Sequence, residues 1–109
     1  MNKKQSHGKF CEVVGNTHRN KILEYFIEMR ELDFGLGDVA IETDLNRATV
    51  YNTAELLLKE KMIVPTRKVG NTQLYQLSKE KEEVQLLINL FNEVVNTGAR
   101  KKVINVSVK

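Results

Sequence analysis

The stretch from Val39 to Leu58, V-A-I-E-T-D-L-N-R-A-T-V-Y-N-T-A-E-L-L-L, constrains the fold of this chain more than any other. Val39, Ala40 and Thr43 fall at helical spacing, Leu45 follows a tight break, and Asn46 supplies a side-chain oxygen suited to cap a new helix. Val50, Ala54, Leu57 and Leu58 then recur at i, i+4, i+7 and i+8, which makes one buried stripe. Arg47, Ala48, Tyr51, Asn52, Glu55 and Lys59 occupy the opposite face. Two helices crossing at a short turn need a small residue at their contact, and Ala40 provides it. The start of the second helix is expected to project Arg47, Thr49, Tyr51 and Asn52, a short hydrogen-bonding set suited to reading base edges when a helix enters a major groove end-on.

The run of Val39-Ala40, Leu45, Asn46-Arg47-Ala48-Thr49-Val50-Tyr51 and Leu57 resembles the helix-turn-helix of small winged-helix transcriptional regulators, especially those common in archaea and their plasmids and viruses. The resemblance covers roughly residues 17–95 and implies a mainly α fold with a small antiparallel β-hairpin, the wing. One departure is visible. Asp44 stands where such turns usually carry Gly, so a left-handed backbone is expected at a residue that is among the few to tolerate it.

Composition bounds the rest. A chain of 109 residues is one domain's worth, with a core that extra burial in a dimer would help. No apolar run approaches a membrane span and the first residues lack a secretory apolar region, so a cytoplasmic, nucleoid-associated protein without membrane partners is expected. The lone cysteine, Cys11, agrees with a reducing compartment. The net charge of +3 is unevenly spread: residues 1–20 carry +3 and residues 97–109 carry +4, which leaves −4 for the middle. Nucleic-acid affinity must then come from a local patch and the two basic ends.

Residues 1–16 read as a basic extension that becomes locally apolar at Phe10, Cys11, Val13 and Val14, either a short packed helix or an extended piece. A helix is expected between Asn16 and Glu31, capped by Thr17, with Ile22, Leu23, Phe26 and Ile27 buried. The glycines around Leu36 break it and suit a tiny edge strand, after which Asp38 starts the next helix. Past Lys61 the pattern alternates: Ile63–Val69, a Gly70-Asn71 turn, then Thr72–Leu77, a hairpin with Pro65 on an edge strand. Thr66, Arg67, Lys68, Asn71, Thr72 and Gln73 cluster toward its tip, where phosphates or a minor groove are within reach.

From Lys79 to Asn96 a final helix carries Val84, Leu87, Ile88, Phe91, Val94 and Val95 on one side and Leu86 and Leu90 in a second stripe. So much apolar surface points to a homodimer through Leu86, Leu87, Leu90, Phe91 and Val94, with packing on the segment around Phe10 and Val14 as the alternative. The expected domain is thus residues 17–96, followed by a basic tail, 97–109, whose Ile104, Val106 and Val108 alternate with polar residues and suit either a strand or a frayed end.

Catalytic chemistry is not indicated. His7, Cys11 and His18 lack the close paired spacing of a structural zinc site, and Gly35 and Gly37 lack the lysine and flanking pattern of a phosphate-binding loop. Neither metal, cofactor nor small-molecule effector is expected. The sequence supports a homodimeric, sequence-specific binder of double-stranded DNA that regulates transcription. The alternatives are a plasmid or viral partition or replication protein, and a winged helix that binds protein.

Overall fold

The computed structural model describes residues 8–107, with side chains from Gly8 to Thr97. The elements follow in the order α1 (Lys9–Val14), α2 (His18–Glu28), α3 (Leu36–Thr43), α4 (Arg47–Lys59), β1 (Ile63–Val69), β2 (Thr72–Leu77) and α5 (Glu82–Ser107). The described chain is mainly helical with one two-stranded antiparallel hairpin.

Local hydrogen-bond chemistry sets these boundaries. Thr17 caps α2 by accepting the Asn20 N–H at 3.0 Å, and Asn46 caps α4 by accepting the Thr49 N–H at 2.8 Å, both as their residue types require. At the end of α3 the Leu45 N–H reaches the Ala40 carbonyl at 3.1 Å and Asp44 adopts φ 60° and ψ 37°. That is the left-handed closure expected there. Lys61, also at φ 60°, closes α4 in the same way, with the Met62 N–H on the Leu57 carbonyl at 2.9 Å.

The hairpin turns at Gly70-Asn71 between the paired Val69 and Thr72. Gly70 has φ 63° and Asn71 has a negative φ, which matches a two-residue turn whose first position favours glycine. Phe34 adds a single bridge on the other side of β2, exchanging N–H···O bonds with Tyr75 at 2.8 Å in both directions. Tyr75 therefore aims its donor and acceptor away from Pro65, its β1 partner, and the missing proline N–H goes unneeded. Because Pro65 pairs with Tyr75 and Lys68 with Gln73, the two residues Thr66 and Arg67 oppose Leu74 alone, a β-bulge.

Ile22, Leu23, Phe26 and Ile27 of α2 form the centre of the core, against Val39 and Ala40 of α3, Val50, Ala54 and Leu57 of α4, and Ile63, Leu77 and Val84. Phe34 packs on the edge of this cluster, its ring 4.9 Å from Tyr25 and 6.1 Å from Phe26, which fastens the hairpin to α2.

Of the two readings open for residues 9–14, the short packed helix is the one that forms: α1 buries Phe10 and Cys11, each 1% exposed, within the core. Two expectations are corrected. Helix α3 starts at Leu36 rather than Asp38, with Gly35 as its N-cap. The backbone over 103–107 is helical, part of α5, because each residue added to an existing helix gains a hydrogen bond without new nucleation.

If α1 belongs to the core, Phe10→Ala should cost about 3–5 kcal/mol in urea unfolding. A loss under about 1 kcal/mol, the range of surface substitutions, would place Phe10 outside it.

Candidate nucleic-acid interface

Burial of Val50, Ala54 and Leu57 turns the other side of α4 outward. Arg47 and Asn52 are exposed, Tyr51 is 47% exposed, and Thr49 is half-buried. The sequence places Arg47 beyond the helix start. It instead lies back along α4, its Nη2 donating to Tyr51 Oη at 3.3 Å and its Cζ 5.7 Å from the Tyr51 ring centroid. Gly37 makes room for it, since a Cβ there would sit 2.9 Å from Arg47 Nη1.

Between α3, α4 and the hairpin lies a cleft of about 500 Å³, lined among others by Gly37, Asp38, Arg47, Tyr51, Asn71 and Gln73. Arg47 and Tyr51 therefore share a surface with the hairpin residues Asn71, Thr72 and Gln73, as a helix and a loop addressing one ligand would. Gly35 and Gly37 have a role that their chain-breaking character conceals. A Cβ on Gly35 would meet Thr72 Cγ2 at 2.9 Å, so both glycines admit side chains of the cleft.

The other side of the hairpin is arranged differently from the expectation. Asp33, in the segment after α2, accepts from Arg67 Nε at 2.9 Å, Arg67 Nη2 at 3.1 Å and the Thr66 hydroxyl at 2.6 Å. Thr66 and Arg67 are thus engaged within the protein rather than free for phosphate. Gln73 is half-buried and braces the bulge, its Nε2 donating to the Arg67 and Leu74 carbonyls, each at 3.0 Å. Lys68, Asn71 and Thr72 remain exposed, and Lys68 has no ion-pair partner among the described residues. Hydrogen bonds from Arg67 and then Thr66 hold the Asp33 carboxyl down at about 2. Sequence alone had no means of finding Asp33, because its partner is 34 positions away.

An acidic region adjoins the cleft and shares Asp38 with it. The Tyr25 hydroxyl is pushed up to about 12, by burial first and then by the charges of Glu42, Asp38 and Glu28.

The residues expected to pair two copies are largely occupied at home. Leu87, Leu90 and Phe91 are partly buried against the core, with Phe91 6.1 Å from Phe10, and Val94 is half-buried. The alternative packing partner, the segment around Phe10, has taken that face. Leu86 is 60% exposed and Val95 45%, but nine positions of helix put them on opposite faces of α5, so what stays uncovered is single apolar residues.

Cys11 is buried beside Glu24, whose carboxylate also accepts the Gly8 N–H at 2.9 Å. Burial, then the Glu24 charge and hydrogen bond, push its thiol up to about 12, the opposite of a reactive cysteine. His18 is exposed on α2 and His7 lies outside the described residues. No group of three or more potential metal ligands occurs among the described residues. Nor is any described helix long and apolar enough to cross a membrane. No family model, curated protein or solved structure matches the chain.

Asp33 is ionised in the folded state at a pH where the unfolded chain is protonated. The stability that its bonds contribute is complete above its ordinary value of 3.8 and is lost as pH falls through about 2. The melting-temperature gap between wild type and Asp33→Asn should therefore close between about pH 4 and pH 2, and a gap that does not change with pH would contradict the assignment.

Proposed function

We propose that this chain is a winged helix-turn-helix protein that binds double-stranded DNA sequence-specifically and regulates transcription as a homodimer. One observation carries the reading. The capped start of α4 exposes Arg47, Tyr51 and Asn52, and Arg47 and Tyr51 line one cleft with Asn71 and Thr72 of the hairpin tip, next to which Lys68 is exposed on β1. In such an arrangement α4 enters a major groove and reads base edges, while the hairpin touches phosphate or the adjoining minor groove. Arg47 swings from Tyr51 toward a base, a low-cost move for an exposed side chain held by one long hydrogen bond and an exposed ring contact. No catalytic step is assigned to the protein.

Arg47→Ala should cost about 1–3 kcal/mol on the selected duplex and relax one base preference, whereas Lys68→Ala should weaken all duplexes alike. Selection from random duplexes followed by binding titrations at stated salt reads both effects. Equal losses on specific and random duplexes for Arg47→Ala would contradict the role given to Arg47.

The dimer is proposed to form through the side of α5 that displays Leu86, next to the partly buried Leu87 and Leu90. Leu86→Glu should convert the protein to a monomer in analytical ultracentrifugation without lowering duplex affinity for a single half-site. An unchanged dimer would move the interface elsewhere.

The net −4 of residues 21–96 and the presence of Asp38 in the cleft favour a second reading, a module that binds a basic protein surface. Duplex titration at low salt separates the two: DNA binding gives measurable affinity that falls steeply as added salt lowers the gain from counterion release, and the second reading gives no duplex binding.

A further inference from the structure

Arg67 and Asp33 form an asymmetric pair: the guanidinium side chain is 65% exposed and the carboxylate 15%. The anion belongs to the body of the protein and the cation to its surface. Asp33 precedes Phe34, whose backbone is fixed to β2 by two hydrogen bonds, so the carboxylate is anchored beside the hairpin and its short side chain cannot follow Arg67 far outward. The bulge supplies the matching half, setting Thr66 and Arg67 opposite Leu74 so that both reach Asp33. Arg67 meets Asp33 through Nε and Nη2, the forked edge with which a guanidinium grips a phosphate in two parallel bonds. That edge is filled, and the charge behind it is cancelled. Lys68, its neighbour, is exposed and carries no such partner among the described residues.

We infer that Asp33 is an intramolecular competitor of DNA phosphate, occupying the donor edge of Arg67 so that the hairpin meets duplex through Lys68 while Arg67 is withheld. The inference rests on the DNA-binding reading above. An ion pair with an exposed member is weak and exchangeable, so removing the carboxylate releases a ready-made phosphate contact rather than building one. Asp33 thus sets the ceiling of sequence-independent affinity, the component that would otherwise compete with base readout.

The test is fluorescence-anisotropy titration of a labelled random-sequence duplex across a salt series, using the full chain as wild type, Asp33→Asn, Arg67→Ala and the double variant. Asp33→Asn should bind about three- to tenfold more tightly at low salt and steepen the log–log salt slope by about 0.9, the value for one further phosphate contact. Arg67→Ala should change wild-type affinity by less than about twofold and abolish the gain in the Asp33→Asn background. Wild-type binding that Asp33→Asn leaves equal or weaker, with an unchanged fold by circular dichroism, overturns the competitor role alone. So does an Arg67→Ala loss in wild type as large as that of Lys68→Ala, a readout that needs no substitution at Asp33. Absence of duplex binding by both wild type and Asp33→Asn overturns the DNA-binding reading and the competitor with it.

Discussion

The burial of one stripe of α4 decides everything that faces outward. Val50, Ala54 and Leu57 are completely buried, at 0% exposure, within the cluster built on α2. A helix rotated by even a quarter turn would bring Thr53 or Glu55 toward that interior and leave a polar group to satisfy there. The rotation is therefore fixed by packing, and Arg47, Tyr51 and Asn52 are displayed as a consequence. The angle at which α4 leaves α3 is fixed separately, by the left-handed Asp44 and the Asn46 cap on either side of Leu45.

The electrostatics are arranged by pairing rather than by excess. Arg19 meets Glu60, Lys79 meets Glu31, Lys81 meets Glu83 and Arg67 meets Asp33, so much of the positive charge on the body is locally compensated. Tyr25 reports an acidic region over α2 and α3. Uncompensated charge on the hairpin narrows to Lys68, and that on the outward face of α4 is led by Arg47, which a tyrosine rather than a carboxylate holds.

The sequence made local chemistry legible and long-range chemistry not. Asn46, Thr17, Asp44 and the Gly70-Asn71 turn each act within a few residues, and each stands in the structure where its side-chain or backbone preference put it. The helix and hairpin order follows from periodicity for the same reason. Missing from the sequence reading were contacts whose partners are far apart in the chain, Asp33 with Arg67 and Gly35 with Thr72, while packing of α5 on the segment of Phe10 stood there only as the alternative to a dimer. Apolar residues on α5 signal that something covers them, but not what. Leu87, Leu90 and Phe91 are covered by the protein itself, and Leu86 is left over. The outward position of Arg47, Tyr51 and Asn52 was legible as a face of a helix, whereas the backward path of Arg47 past Gly37 was not, because it runs where a Cβ in the preceding helix would stand.

The central claim is that the outward face of α4 and the hairpin tip together receive a DNA duplex. Titration of isotopically labelled protein with a selected duplex, followed by amide chemical-shift mapping, tests it most directly. The account predicts the largest changes at Arg47–Asn52 and Lys68–Thr72, with α1 and the acidic surface around Glu28 and Glu42 nearly silent. Shifts centred on that acidic surface, or no shifts with any duplex, would contradict it.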